Sequence, residues 1–318
     1  MSFTSSFTNA RMKSGRRLFS LLILFAVSFA VGRHGRSCVT REIHELPVSQ
    51  PKTREADVHF HIKKGDEVLV ATYNTRHPAF YMKLPVRNYD KGSLLSAMQE
   101  EEYRFAQAVV LSVQQQLVPQ DKPCNILDVG ANIGYISILA ATMGCNVISF
   151  EANPTTAHVL QENIRANSLQ SKIKVHNKIV SDSEQTSTLK YAVKGSGSIF
   201  DHIASTDEVE GHIEEGFSII DVQSTRLEDN IPVSTDFQLV KIDCEGCEAM
   251  SVKTLGSLLE NARVKLLLFE WVPARVRHLS GAQSPEEMVT FLSTNGYKVR
   301  QAISPLSFPT RLFCGSFL

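Results

Sequence analysis

Residues 125–129 form a short apolar run interrupted by one acid, Asp128. Beyond it, Ile136, Leu139, Ala140 and Met143 recur at helical spacing, and Gly144 stands where a C-cap glycine belongs. Gly130 and Gly134 lie between. The pattern predicts a buried strand, a tight glycine turn and a helix. A second apolar run, 146–150, ends in Glu151. The turn Ala152-Asn153-Pro154 then leads into a helix with Ala157, Leu160 and Ile164 facing inwards. Residues 172–180 alternate and carry branched side chains, as a third strand would. Residues 188–193 and 218–224 are β-like and flank a loop containing Gly195-Ser-Gly-Ser198 and several acids. Residues 237–242 and 264–269 predict the fourth and fifth core strands, the latter ending in Glu270 and Trp271. Ser284-Pro285-Glu286-Glu287 opens a helix with a capping box and a proline at its first position, and Gly296 closes it. Residues 297–301 and 311–317 complete the sheet as an antiparallel edge pair. Strands alternating with helices predict an α/β fold, a seven-stranded, mostly parallel sheet with helices on both faces.

The pattern changes upstream. Residues 93–117 are helical in period, with Phe105, Val109, Val110, Val113 and Leu117 in one stripe. Residues 59–62 and 67–73 alternate and predict a small β cap over 58–92. Residues 33–57 are charged and aperiodic and read as a stem. Residues 18–31 are almost wholly apolar, behind a polar tail, 1–17, that contains Arg11, Lys13, Arg16 and Arg17. Fourteen helical residues span about 21 Å, short of a ~30 Å hydrocarbon core. The expectation is a short signal anchor over residues 18–32, holding a lumenal catalytic domain, 93–318, on a membrane of endomembrane or Golgi type. The alternatives are a cleaved signal peptide, with cleavage near Ala30 and secretion, and an N-terminal helix buried in the domain.

Composition narrows the function. Lysine plus arginine equals aspartate plus glutamate at 33 each, so no basic excess points to nucleic acid. Six cysteines are present. Cys244 and Cys247 form a C-x-x-C inside an Asp-x-Glu-Gly turn, a setting that favours neither redox chemistry nor zinc. The others are dispersed and leave any disulfide pairing open. No glycosylation acceptor Asn-x-Ser/Thr with a non-proline middle residue occurs.

The glycine turn is the chemical centre. A dinucleotide fingerprint would read Gly-x-Gly-x-x-Gly, whereas here Asn132 replaces the middle glycine. Asp128 would repel a pyrophosphate and suits a ligand with an ammonium, such as the methionine end of S-adenosylmethionine. Glu151, ending the second strand, fits a bidentate hydrogen bond to ribose hydroxyls. Asp243 and Glu245 share a side-chain direction if their strand continues through them. Two acids facing one pocket can supply a general base, or they can instead hold loop backbone or cap the next helix.

Leu127-Asp-Val-Gly-Ala-Asn-Ile-Gly-Tyr135, Ser149-Phe-Glu-Ala-Asn-Pro154 and Val240-Lys-Ile-Asp-Cys-Glu-Gly-Cys-Glu248 together resemble the FkbM family of S-adenosylmethionine-dependent methyltransferases. The resemblance runs from about residue 94 to near the C-terminus. It implies a class I methyltransferase fold and O-methylation of a hydroxyl on a sugar, glycan or other small-molecule acceptor. The cofactor candidates are Asp128, Gly130, Ala131, Asn132, Gly134, Glu151, Asn153 and Asp182. Asp182 stands where the fold faces the adenine, with a turn-capping acid as the alternative. The catalytic candidates are Asp243, Glu245 and Glu270, and no metal is expected. Two other readings stay open: a membrane-tethered binding protein without chemistry, and an NAD-dependent dehydrogenase, which Asp128 and the missing glycine oppose.

Overall fold

The computed structural model describes residues 58–62, 67–74, 77–85, 110, 113, 123–183, 188–193, 202–203, 217–232, 234–271, 285–302 and 311–317. The anchor, the stem and most of the 93–117 helix therefore lie outside the described residues. Among the described residues, no helix is long and apolar enough to cross a membrane.

Among the described residues the strands form three sheets. The first is the cap: β1 (Val58–Ile62), β2 (Glu67–Asn74) and β3 (His77–Pro85), paired antiparallel in that order. The third strand was not legible in the sequence. It docks the cap on the main domain, because Phe80 and Met82 enter the core while backbone groups meet asparagines. Asn163 Oδ1 accepts from Lys83 N at 2.5 Å, and Asn167 Oδ1 accepts from Tyr81 N at 2.8 Å.

The main sheet carries β4 (Asn125–Val129), β5 (Asn146–Phe150), β6 (Ile173–His176), β11 (Leu239–Ile242), β12 (Leu266–Trp271), β13 (Tyr297–Ala302) and β14 (Arg311–Phe317). Its order is β13-β14-β12-β11-β4-β5-β6. The five strands from β12 to β6 are parallel, and β14 pairs antiparallel with both β12 and β13. This is the expected α/β arrangement. The chain runs outwards from β4 through β5 to β6 and later returns to β11 on the other side of β4. The C-terminal ends of β4 and β11 thus flank the topological switch point, where open α/β sheets bind ligands.

Helices follow the strands. α1 (Tyr135–Thr142) comes after β4 and α2 (Pro154–Ala166) after β5; α3 (Glu248–Thr254) and α4 (Gly256–Glu260) come after β11, and α5 (Pro285–Thr294) precedes β13. Val110 and Val113 are helical and buried in the same core as α1. Ile126, Val147, Leu239, Leu266 and Leu268 face that core, whereas Leu127, Val129, Val240, Ile242, Leu267 and Phe269 face a second one, which α3 and α5 also line. Strand alternation sends successive residues to opposite faces, so both faces must be apolar and both are covered.

The third strand differs from expectation. Residues 172–180 divide into β6 and β7 (Ile179–Val180). Asn177 turns the chain between them, donating through Nδ2 to the carbonyls of Glu151 and Ala152. β7 leaves the main sheet and pairs with β10 (Ser218–Thr225). β10 also pairs antiparallel with β8 (Thr188–Val193), which pairs with β9 (His202–Ile203). The two β-like runs of the sequence thus build a second, four-stranded sheet of order β7-β10-β8-β9.

Candidate active site

The site is built from what the parallel strands deliver to their C-terminal edge. β4 ends at Val129 and opens the glycine turn, where Gly130 (φ 72), Asn132 (φ 51) and Gly134 (φ 96) all take left-handed backbone conformations. The glycines serve packing. A Cβ on Gly130 would lie 1.7 Å from the Asp243 carbonyl oxygen, and one on Gly134 would lie 2.2 Å from Leu160 Cδ1. The turn presses on the end of β11 on one side and on α2 on the other.

The structure uses the amides of this turn internally. Gly130 N and Ala131 N donate to Phe150 O, each at 2.9 Å, and Gly134 N donates to Ala131 O. Asn132 N donates to Glu151 Oε2 at 2.8 Å, and Ile133 N to Asn132 Oδ1 at 2.8 Å. Every amide from residue 130 to 134 has a protein acceptor. A pyrophosphate would need such amides for itself.

Glu151 follows β5 and spans two loops. Its Oε2 receives Asn132 N, and its Oε1 receives Asn153 N at 2.9 Å. These two amides orient the carboxylate. Asn153 is buried, and its Oδ1 caps α2 by accepting from Thr155 N and Thr156 N. That capping role fits its Asn-Pro sequence, with proline at the first helical position. Asp182, just beyond β7, meets Lys253 of α3, Nζ to Oδ2 being 2.8 Å.

Asp128 lies elsewhere than its sequence reading implies. It is 0% exposed. Its Oδ2 accepts from Ser137 Oγ of α1 at 2.5 Å, and Ser137 Oγ lies 2.8 Å from Ser149 Oγ. Its Oδ1 accepts no hydrogen bond among the described residues, but Lys241 Nζ stands 3.4 Å away. Register explains the grouping: Ser149, Asp128 and Lys241 are directly opposite one another on β5, β4 and β11. They form a polar row across one face of the sheet, beyond the apolar row of Val147, Ile126 and Leu239. The carboxylate is thus placed inside the sheet–helix layer.

β11 ends at Ile242, so the strand does not continue through Asp243 and Glu245. Glu245 (φ 57) and Gly246 (φ 115) turn the chain instead. The turn still gathers the expected acids: one carboxylate oxygen each from Asp243, Glu245 and Glu270 lies within 4.8 Å of the others. Three negative charges this close repel one another and favour a positive group among them. The trio has the donor type and spacing that could hold a hard cation. The Asp243 side chain is 45% exposed, while Glu270 is nearly buried in β12.

Sequence reasoning missed four supporting residues. Lys241 was hidden in an apolar run; its signal was a charge at the register position of Asp128. His176 stacks on Phe150, ring centroids 4.7 Å apart, and burial, aided by Lys174 and Lys178, lowers its pKa to about 4. Glu248 caps the acid turn, its Oε1 accepting from Cys244 N and Gly246 N. Ser251 lies within reach of both sulfurs of a Cys244–Cys247 disulfide, which closes the turn around Glu245 and Gly246. The C-x-x-C is therefore a structural clasp. A second disulfide joins Cys124 to Cys145, at the N-terminal ends of β4 and β5.

Burial pushes the Glu248 carboxyl up to about 7, with Asp243 adding to the rise, against the amides that favour its charged form. The folded protein therefore holds a proton that the unfolded chain releases near its ordinary value of 4.5. Between pH 4.5 and 7 the folded state binds more protons, so stability falls as pH rises through that window and levels off above it. Glu248→Gln removes this dependence. In urea unfolding, its stability relative to wild type is expected to rise from pH 4.5 to pH 8 by on the order of 3 kcal/mol.

The profile of the Methyltransferase FkbM domain matches residues 128–299, more than half of the chain. A search of curated proteins gives no significant match. Solved structures match at low identity. An O-methyltransferase from Bacillus cereus in complex with S-adenosylhomocysteine is 13% identical with a TM-score of 0.38, over 73% of this chain and 93% of that one. The O-methyltransferase TomG from Streptomyces achromogenes in complex with S-adenosylmethionine is 10% identical with a TM-score of 0.38, over 72% and 91%. A ribosomal protein L11 methylase from Lactobacillus delbrueckii subsp. bulgaricus is 11% identical with a TM-score of 0.38, over 69% and 80%. With the three motifs inside the matched region or at its border, the chain belongs to the FkbM methyltransferase family, and its cofactor is S-adenosyl-L-methionine.

Proposed function

We propose that the protein is an O-methyltransferase whose acceptor is a hydroxyl of a sugar, a glycan or another small molecule. The observation that carries this reading is the acid trio Asp243, Glu245 and Glu270 at the switch point, beside the glycine turn. When bound, S-adenosylmethionine supplies an electrophilic methyl group. Glu151, already oriented by two amides, holds the ribose hydroxyls. The turn from Gly130 to Gly134 shapes the floor under the methionine moiety through its backbone. Asp243, nearly half exposed, accepts the acceptor hydroxyl's proton, and Glu245 and Glu270 orient the same hydroxyl. Much of the rate comes from holding the two reactants in line. The dehydrogenase alternative is disfavoured because the turn's amides already have protein acceptors.

Calorimetric titration with S-adenosylhomocysteine and, separately, with NAD tests the reading. Saturable binding of the first alone is expected. Binding of NAD instead would overturn it.

The domain plan is part of the proposal: an anchor at 18–32, a stem at 33–57, a cap at 58–92 and the catalytic domain at 93–318, facing a lumen. The two disulfides among the described residues support an oxidising compartment. Thiol mapping of the protein from its native source would find both pairs oxidised; free thiols at Cys124 and Cys145 would contradict that placement.

A further inference from the structure

Lys241 sits in a central parallel strand, where apolar side chains are the rule, and is only 9% exposed. Its Nζ donates to the Gly130 carbonyl at 2.7 Å. The same Nζ stands 3.4 Å from Asp128 Oδ1 and 3.5 Å from Asp243 Oδ2. One ammonium thus joins the cofactor turn, the polar row inside the sheet and the acceptor-side acid.

Compensation of a buried carboxylate is the simplest role for such a lysine, and it leaves the distances unexplained. The short contact goes to the neutral carbonyl of Gly130, and the longer ones go to the two acids. Asp128 takes its own short hydrogen bond from Ser137. The Gly130 carbonyl, in contrast, belongs to a turn with three left-handed residues in five. The amides of that turn are held by Phe150 O and Glu151. Lys241 holds it from the carbonyl side. The Asp243 backbone packs directly on Gly130 and donates its N–H to Val129 O at 3.0 Å.

We infer that Lys241 is a positioning residue for methyl transfer: its ammonium locks the cofactor turn at the Gly130 carbonyl against the Asp243 carboxylate on the acceptor side. The inference rests on the methyltransferase reading above. It gives the strand charge a purpose, because donor and acceptor must be registered to within a fraction of an ångström.

The test separates this role from charge compensation. Lys241→Met alone would leave Asp128 buried without its counter-charge and is a poor probe. Asp128→Asn/Lys241→Met removes both charges. The double variant is expected to melt near the wild-type temperature yet bind S-adenosylhomocysteine about 10- to 100-fold more weakly, the size of one charge-assisted hydrogen bond. Amide hydrogen exchange from Gly130 to Gly134 should quicken in step. Lys241→Arg is the second probe. It keeps the charge beside Asp128 but replaces a compact donor with a planar fork. It too is expected to fold and to bind more weakly. With Asp128→Asn alone as the control for the carboxylate, a purely structural lysine would not lower the affinity of the double variant any further.

Binding within about twofold of wild type in either folded variant would overturn the inference. So would failure of both variants to fold, since the lysine would then serve the fold alone. If the wild-type protein itself does not bind S-adenosylhomocysteine, the methyltransferase reading falls first, and the wild-type titration tells the two failures apart.

Discussion

Gly130→Ala is expected to yield no stably folded domain. The added carbon would lie 1.7 Å from the Asp243 carbonyl oxygen and 2.6 Å from its carbonyl carbon. Neither atom can step aside alone. Asp243 N is bonded to Val129 O, and β11 is paired in register with β4 up to Ile242 and Val129. Relief would require parting the two central strands at the switch point. The left-handed φ of 72° adds about 1–2 kcal/mol for a residue with a Cβ. A loss of more than about 4 kcal/mol follows, in the range reserved for severe core disruption. Two other glycines supply an internal scale. Gly134→Ala meets the end of the Leu160 side chain at 2.2 Å, which can rotate at some cost. Gly144→Ala meets nothing within 4 Å and carries only the strain of φ 97°. Thermal melts should therefore rank Gly144→Ala mildest, Gly134→Ala intermediate and Gly130→Ala worst. A Gly130→Ala protein that melts within a few degrees of wild type would mean that the β4–β11 contact is looser than described.

Glu151→Ala is expected to lower S-adenosylhomocysteine affinity by about 100-fold or more while leaving a folded protein. The carboxylate has two duties in one position. It receives the amides of Asn132 and Asn153, and in the function proposed above it also holds the ribose hydroxyls. Alanine leaves both amides without their acceptor, at about 1–3 kcal/mol each. The same change removes the ribose acceptors. The fold should survive because the loss of these two hydrogen bonds is smaller than the roughly 5–15 kcal/mol that stabilises a typical domain. Glu151→Gln separates the duties. Its carbonyl oxygen can still accept one amide, but its NH2 group faces the other amide as a second donor. Intermediate affinity is expected. Calorimetry on both variants, with melting temperature as control, decides the matter. An affinity within about threefold of wild type for Glu151→Ala would remove the ribose role from this residue.

The two predictions share a cause. Parallel strands bring residues distant in sequence to one edge, and each must be held by backbone there. Gly130 is shaped by Asp243, and Glu151 is clamped by Asn132. Fold and proposed cofactor binding thus share residues, and the substitutions are designed to pull them apart.

Local pattern along the chain is enough to lay out the core. The apolar runs at 125–129 and 146–150 become β4 and β5 with the same bounds, and Glu151 follows its strand as expected. The helix start at Pro285 and the edge pair at 297–317 were equally legible. These features are local: strand period, helix period, caps and turn residues act over a few positions. Resemblance in three motifs was enough for the family, because the motif residues lie where strands end.

Tertiary structure decided everything that depends on a neighbour. Residues 172–180 carry one continuous β pattern, yet Asn177 finds the carbonyls of Glu151 and Ala152 and breaks it into two strands in two sheets. Asp128 reads as a ligand acid in sequence, but register puts it opposite Lys241 and Ser149 and α1 covers it with Ser137. Glu245 joins Asp243 and Glu270 through a left-handed turn and not through strand alternation. The disulfide partners were likewise open until β4 and β5 lay side by side. Period and propensity tell a residue which way to face. Only the packed sheet tells it what it faces, because strand register and helix coverage are set by burial of the whole apolar surface.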